Sequence, residues 1–163
     1  MTPDVRAIKN DRMRYTKDKL SANLILFAIV LDALYFISIY KTDVGTYYYT
    51  WVMGASIVYN LLFLLMAFLA SEGVKSRKDG YTVLLSVLGL MQFVRIFYLP
   101  AKAHAAEVTI QNEVFKVMTN GQYTYVVALL AVSGALCLAA AVTSYINNKT
   151  LANYIRSIET KNA

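Results

Sequence analysis

Two ionisable side chains, Asp32 and Arg95, interrupt otherwise apolar runs. Such groups are costly in hydrocarbon unless they pair with one another or serve an ion or proton path. At about 1.5 Å of rise per residue, Asp32 lies about 18 Å beyond Leu20 and Arg95 about 21 Å beyond Tyr81. Two helices running in the same direction would therefore hold them at nearly the same depth. The spacing predicts a buried ion pair that fixes the two helices in register, because each charge alone would cost several kcal/mol. The functional alternative is a proton or ion path through Asp32, or an opposite charge met on another subunit. Asn60 and Gln92 add polar atoms near mid-depth, where interhelical hydrogen bonds would use them.

Other chemistry-bearing residues are sparse. The one histidine, His104, has neither a second histidine nor a cysteine near it, so it reads as solvated rather than as a metal ligand. The one cysteine, Cys137, excludes an intramolecular disulfide and a Cys-x-x-Cys redox pair, and reads as a small packing residue. There is no G-x-S-x-G, no H-E-x-x-H and no glycine loop that would cradle phosphate. The expectation is a protein without catalysis, cofactor or metal.

The elements that must position Asp32 and Arg95 follow from composition. Of 163 residues, 58% are hydrophobic and 16% charged, and the charges crowd into short stretches. Four nearly charge-free runs remain, at residues 20–40, 49–70, 81–100 and 123–146. Each is about the 20 residues that an α-helix needs to cross a hydrocarbon layer. The predicted fold is all-α: an integral membrane bundle of four transmembrane helices (residues 20–146) between a basic segment 1–19 and a segment 147–163. A cleaved signal is not expected, because the first apolar run starts after 19 residues, exceeds a signal's apolar length and lacks a small-residue exit.

The net charge of +6 traces to loop asymmetry rather than to a nucleic-acid surface. Twelve Lys and Arg residues lie in 1–19, 71–80 and 147–163, against Lys41, Lys102 and Lys116 on the other side. The positive-inside rule then predicts both termini in the cytoplasm and the protein in the cell membrane. Tyr40, Tyr47, Tyr48, Tyr49, Trp51, Tyr98, Tyr123 and Tyr125 fall where the helices would meet the outer interface, as amphipathic rings do.

The flanks suggest partners. Outer segment 101–122 carries Val108, Val114, Phe115 and Met118, whose spacing fits either a hairpin or one helix face, before an Asn120-Gly121 turn signal. Residues 71–80, punctuated by Gly73 and Gly80, read as a tight turn. Leu151, Tyr154, Ile155 and Ile158 recur at helical spacing, predicting an amphipathic C-terminal helix along the inner interface. Small residues, Gly54 in the second run and Ala131, Gly134, Ala135 and Ala139 in the fourth, allow the close backbone approach by which membrane helices associate. Together these features point to an auxiliary or assembly subunit of a larger membrane complex such as a transporter, with the lipid bilayer and heterologous membrane subunits as partners. A small homo-oligomeric ion- or proton-coupled transporter or channel using Asp32 is the alternative.

Overall fold

The computed structural model of the protein describes residues 3–40, 51–110 and 113–162. Among these, α1 spans Pro3–Tyr15, α2 Lys19–Tyr40, α3 Trp51–Lys75, α4 Asp79–Ala105 and α5 Asn120–Asn162. Between α4 and α5 lies an antiparallel hairpin of β1 (Glu107–Ile110) and β2 (Glu113–Lys116). The four helices α2 to α5 are each long and apolar enough to cross a membrane. Their outward faces carry Phe27, Val30, Leu61, Leu65, Val87 and Phe97, all exposed. Large apolar side chains on all sides suit a hydrocarbon solvent and would drive aggregation in water. Residues 41–50, which include the interface tyrosines Tyr47, Tyr48 and Tyr49 and the first two residues of the expected second run 49–70, lie outside the described residues.

The helices form a ring in which α2 packs against α3 and α5, and α4 against α3 and α5. Helices α2 and α4 therefore face one another across the bundle axis. Two apolar cores fill the ring. One holds Ile25, Phe63, Ala67, Leu85 and Cys137; the other holds Tyr35, Ile39, Leu99, Met118 and Leu130. Helices α4 and α5 come close together at two glycines. A Cβ on Gly134 would stand 3.0 Å from the Gly89 carbonyl oxygen, and one on Gly89 would stand 3.1 Å from the Gly134 oxygen.

Capping explains several boundaries. The Asp18 carboxylate accepts from the Ser21 backbone N–H at 3.2 Å and the Ser21 hydroxyl at 2.9 Å, satisfying the open start of α2. At the start of α5, Thr119 N–H donates to Gln122 Oε1 at 3.0 Å while Gln122 N–H donates to Thr119 Oγ1 at 3.3 Å. This reciprocal pair is a capping box, so Asn120-Gly121 opens a helix instead of forming the expected turn.

The turn after α3 is shorter than the 71–80 segment suggested, and no glycine makes it. Arg77 takes the left-handed conformation, φ 58°. Its N–H donates to the Val74 carbonyl at 2.9 Å and the Lys78 N–H to the Gly73 carbonyl at 3.1 Å, the Schellman pattern of helix termination. Gly73 is instead helical, lying against the Tyr81 ring, which a Cβ would strike at 2.2 Å. Helix α4 continues five residues past Pro100, which is buried inside it. A proline removes one helical hydrogen bond, a loss that membrane helices absorb through neighbouring packing.

The C-terminal segment is helical, but it is not a separate element. Helix α5 runs unbroken for 43 residues, about 64 Å, roughly twice the hydrocarbon thickness. Asn147 and Asn148 would ordinarily compete with the helix backbone. Their amides are engaged elsewhere, by Asp18 Oδ2 at 3.1 Å and Asp79 Oδ1 at 2.7 Å. With the Asp18 N–H on the Lys75 carbonyl at 3.1 Å and Arg77 Nε on the Thr16 carbonyl at 3.3 Å, these bonds gather residues 16–18, 75–79 and 147–148 at one end of the bundle.

Candidate functional site

The two apolar cores are separated by a polar layer drawn from three helices. Asp32 from α2 and Arg95 from α4 meet across the axis, Arg95 Nη1 donating to Asp32 Oδ1 at 2.8 Å. The same oxygen accepts from Gln92 Nε2 at 2.9 Å, and Arg95 Nη2 donates to Asn60 Oδ1 on α3. Gln92 and Arg95 lie three residues apart, nearly one helical turn, so both point to the same neighbour. Asp32 is fully buried and Arg95 is 6% exposed. The four polar residues singled out in the sequence therefore form one connected cluster.

The sequence reading missed the aromatic half of this site. The guanidinium carbon of Arg95 lies 4.3 Å from the centre of the Tyr35 ring and 5.0 Å from that of Tyr59. A desolvated cation over a ring face gains about 2 kcal/mol, so these two tyrosines help to hold the charge away from water. The signal was present: Tyr35 and Asp32 are three apart, as are Gln92 and Arg95, while Tyr59 and Asn60 are adjacent. Hydrogen-bonding capacity is left over. Asp32 Oδ2, Gln92 Oε1, Asn60 Nδ2 and the Tyr59 hydroxyl are buried without a partner among the described residues. A cavity of about 290 Å³ adjoins the layer between α3 and α4, lined by Tyr59, Met91, Val94, Arg95 and Tyr98.

The small residues divide into inner and outer sets. Gly134 is buried against Gly89, inside the bundle, and therefore does not belong to an outward face. Ala128, Ala135 and Ala139 are exposed, Ala131 is half-buried at the edge of that face, and Gly54 is exposed with nothing near it. The outer-segment residues divide as well. Val108 pairs in register with Phe115, and Val114 and Phe115 are exposed on β2. Met118 is buried in the second core, so it is not available to a partner. His104 is not in a solvated loop either. It closes α4 and stacks on Tyr123, with ring centres 4.4 Å apart. Among the described residues, no three His, Cys, Asp or Glu side chains converge as a metal site would require.

The fold is an all-helical bundle with a buried ion pair at its centre, and its four long apolar helices are compatible with a multi-pass membrane protein. No family model matches the chain, nor does any curated protein or solved structure.

Proposed function

We propose that the protein is a non-enzymatic auxiliary subunit of a larger membrane assembly, most simply a transporter, and that the outward face of α5 is where it docks. The observation that carries this reading is a contrast among the four outward faces. Those of α2, α3 and α4 carry mainly Leu, Ile, Phe, Val and Met through the apolar span, whereas α5 intersperses the small residues Ala128, Ala135 and Ala139 among Val132 and Val142. Lipid-facing positions have no need of small side chains, and small side chains are what let two backbones approach within a bilayer. The internal close contact is already supplied by Gly89 and Gly134. The alanine face is surplus to the bundle. The exposed Val114 and Phe115 of the hairpin add an apolar contact for the same partner.

Ala135→Leu places a branched side chain where the partner's backbone would pass, while leaving the bundle's own contacts untouched. It should strip co-purifying membrane proteins at equal expression, and Phe115→Asp should do the same for contacts made by the hairpin. If both variants keep every protein that accompanies the wild type, or if the wild type brings none, the docking role is wrong.

The spare hydrogen-bonding capacity around Asp32 favours a second reading, a small homo-oligomeric transporter or channel using that carboxylate. Its support is weaker because Arg95 already neutralises Asp32. A pure homo-oligomer in mild detergent, together with transport lost in Asp32→Asn without loss of fold, would favour it.

A further inference from the structure

We propose that the chain carries a binding site for the headgroup of an anionic glycerophospholipid where it enters the bundle, between α1 and the first turn of α2. An open cavity of about 600 Å³ lies there, lined by Lys9, Arg12, Lys17 and Lys19 together with Met13 and Tyr15. Its four cations come from three different parts of the chain: α1, the linker and the start of α2.

Their charge is uncompensated. None of the four forms an ion pair among the described residues, whereas Arg14 pairs with Asp11 at 3.6 Å and Lys75 with Glu72 at 2.9 Å. The acids nearest in sequence, Asp11 and Asp18, are occupied: Asp11 pairs with Arg14, and Asp18 accepts from the Ser21 N–H and hydroxyl and from the Asn147 amide. Asp18 is also buried, while the lysines on either side of it are exposed. The fold thus turns the carboxylate inward and leaves the cations facing one cavity.

Position supplies the class of ligand. Lys19 is the first residue of a helix long and apolar enough to cross a membrane, so the cavity lies at the level where phospholipid headgroups begin. Exposed Tyr15 lines it, and exposed Leu20 follows Lys19 in the chain, giving the apolar contact that a lipid's glycerol and upper acyl region would meet and a free anion would not. Basic pockets beside membrane helices recognise acidic headgroups through the same charge arrangement. The site is independent of the docking face on α5.

The test uses the full chain in a neutral detergent, with lipid retention measured by native mass spectrometry. Phosphatidylglycerol and phosphatidylcholine of identical acyl chains are titrated separately. The wild type should bind phosphatidylglycerol roughly tenfold or more tightly, a preference that shrinks as salt is raised. Replacing Lys9, Arg12, Lys17 and Lys19 with Gln should abolish the preference, and Arg12→Gln alone should weaken it several-fold. Removing the same number of charges from the same end, by Lys75, Lys78, Lys149 and Arg156 to Gln, should leave it intact. Equal retention of the two lipids by the wild type would overturn the site. So would a loss in the control variant matching that in the pocket variant, because general charge would then explain the binding. Displacement of phosphatidylglycerol by an equal concentration of inorganic phosphate would overturn the lipid assignment.

Discussion

At the scale of single residues, the centre of the protein is a hydrogen-bonded network built around one buried ion pair. Asp32→Asn leaves the Arg95 charge buried without its counter-ion, and removing one partner of such a pair costs about 3 to 5 kcal/mol. Combining it with Arg95→Gln removes both charges and should recover much of that loss, a non-additivity visible in thermal unfolding of the purified variants. If each single change is harmless to folding, the pair does not hold the bundle. Two neighbours on α5 make a second contrast. Gly134→Val puts a branched side chain against the Gly89 carbonyl and should cost about 1 to 3 kcal/mol. Ala135→Leu, one residue on, points outward and should leave the melting temperature of the isolated protein unchanged. Helical rise alone put Asp32 and Arg95 at one depth, so their juxtaposition was legible in the sequence. The spacing of Tyr35 and Tyr59 to Asp32 and Asn60 was a signal that went unread, whereas the inward turn of Gly134 was not legible, because it depends on how α5 is rotated about its axis.

At the scale of elements, the helix ends were less legible than the helix bodies. Hydropathy marks where a segment becomes apolar, and so misses the polar turns that α3 adds as far as Lys75 and α4 adds before Tyr81. Those turns are held by specific bonds, such as Ser71 Oγ on the Ala22 carbonyl at 3.3 Å. Asn120-Gly121 misled because the same residues serve turns and helix starts; Thr119 and Gln122 decide between them. Thr119→Ala should therefore lower stability by about 1 kcal/mol, read from a denaturant or thermal midpoint. At the other junction, Arg77→Gly should be more stable than Arg77→Ala by about 1 kcal/mol. Both variants lose the bond to Thr16, and only alanine bears the left-handed strain. Equal stability of the two would show that the turn does not require φ near 58°.

At the scale of the whole molecule, the all-helical bundle with four apolar helices was readable because its signal is composition over long windows, which no local detail overrides. How far α5 continues was not, because nothing in Leu151 to Ile158 distinguishes a helix lying on the membrane from one prolonging its predecessor. Orientation is a separate prediction. With the basic residues concentrated at the Asp18 end, a cysteine at Glu113 should react with an impermeant thiol reagent on intact cells in a Cys137→Ala background, while one at Ser76 should not. The reverse pattern would invert the protein in its membrane. The central claim, that the alanine face of α5 meets another protein, is tested most directly by photo-crosslinking in cells. Single cysteines at Ala128, Ala135 and Ala139, and for comparison at Phe27, Leu65 and Val87, are labelled with a small diazirine thiol reagent in the same Cys137→Ala background. The account predicts one defined heterologous adduct from the three α5 positions and none from the other three. An absence of protein adducts from α5, equal adducts from every face, or an adduct with twice the mass of this chain alone would contradict it.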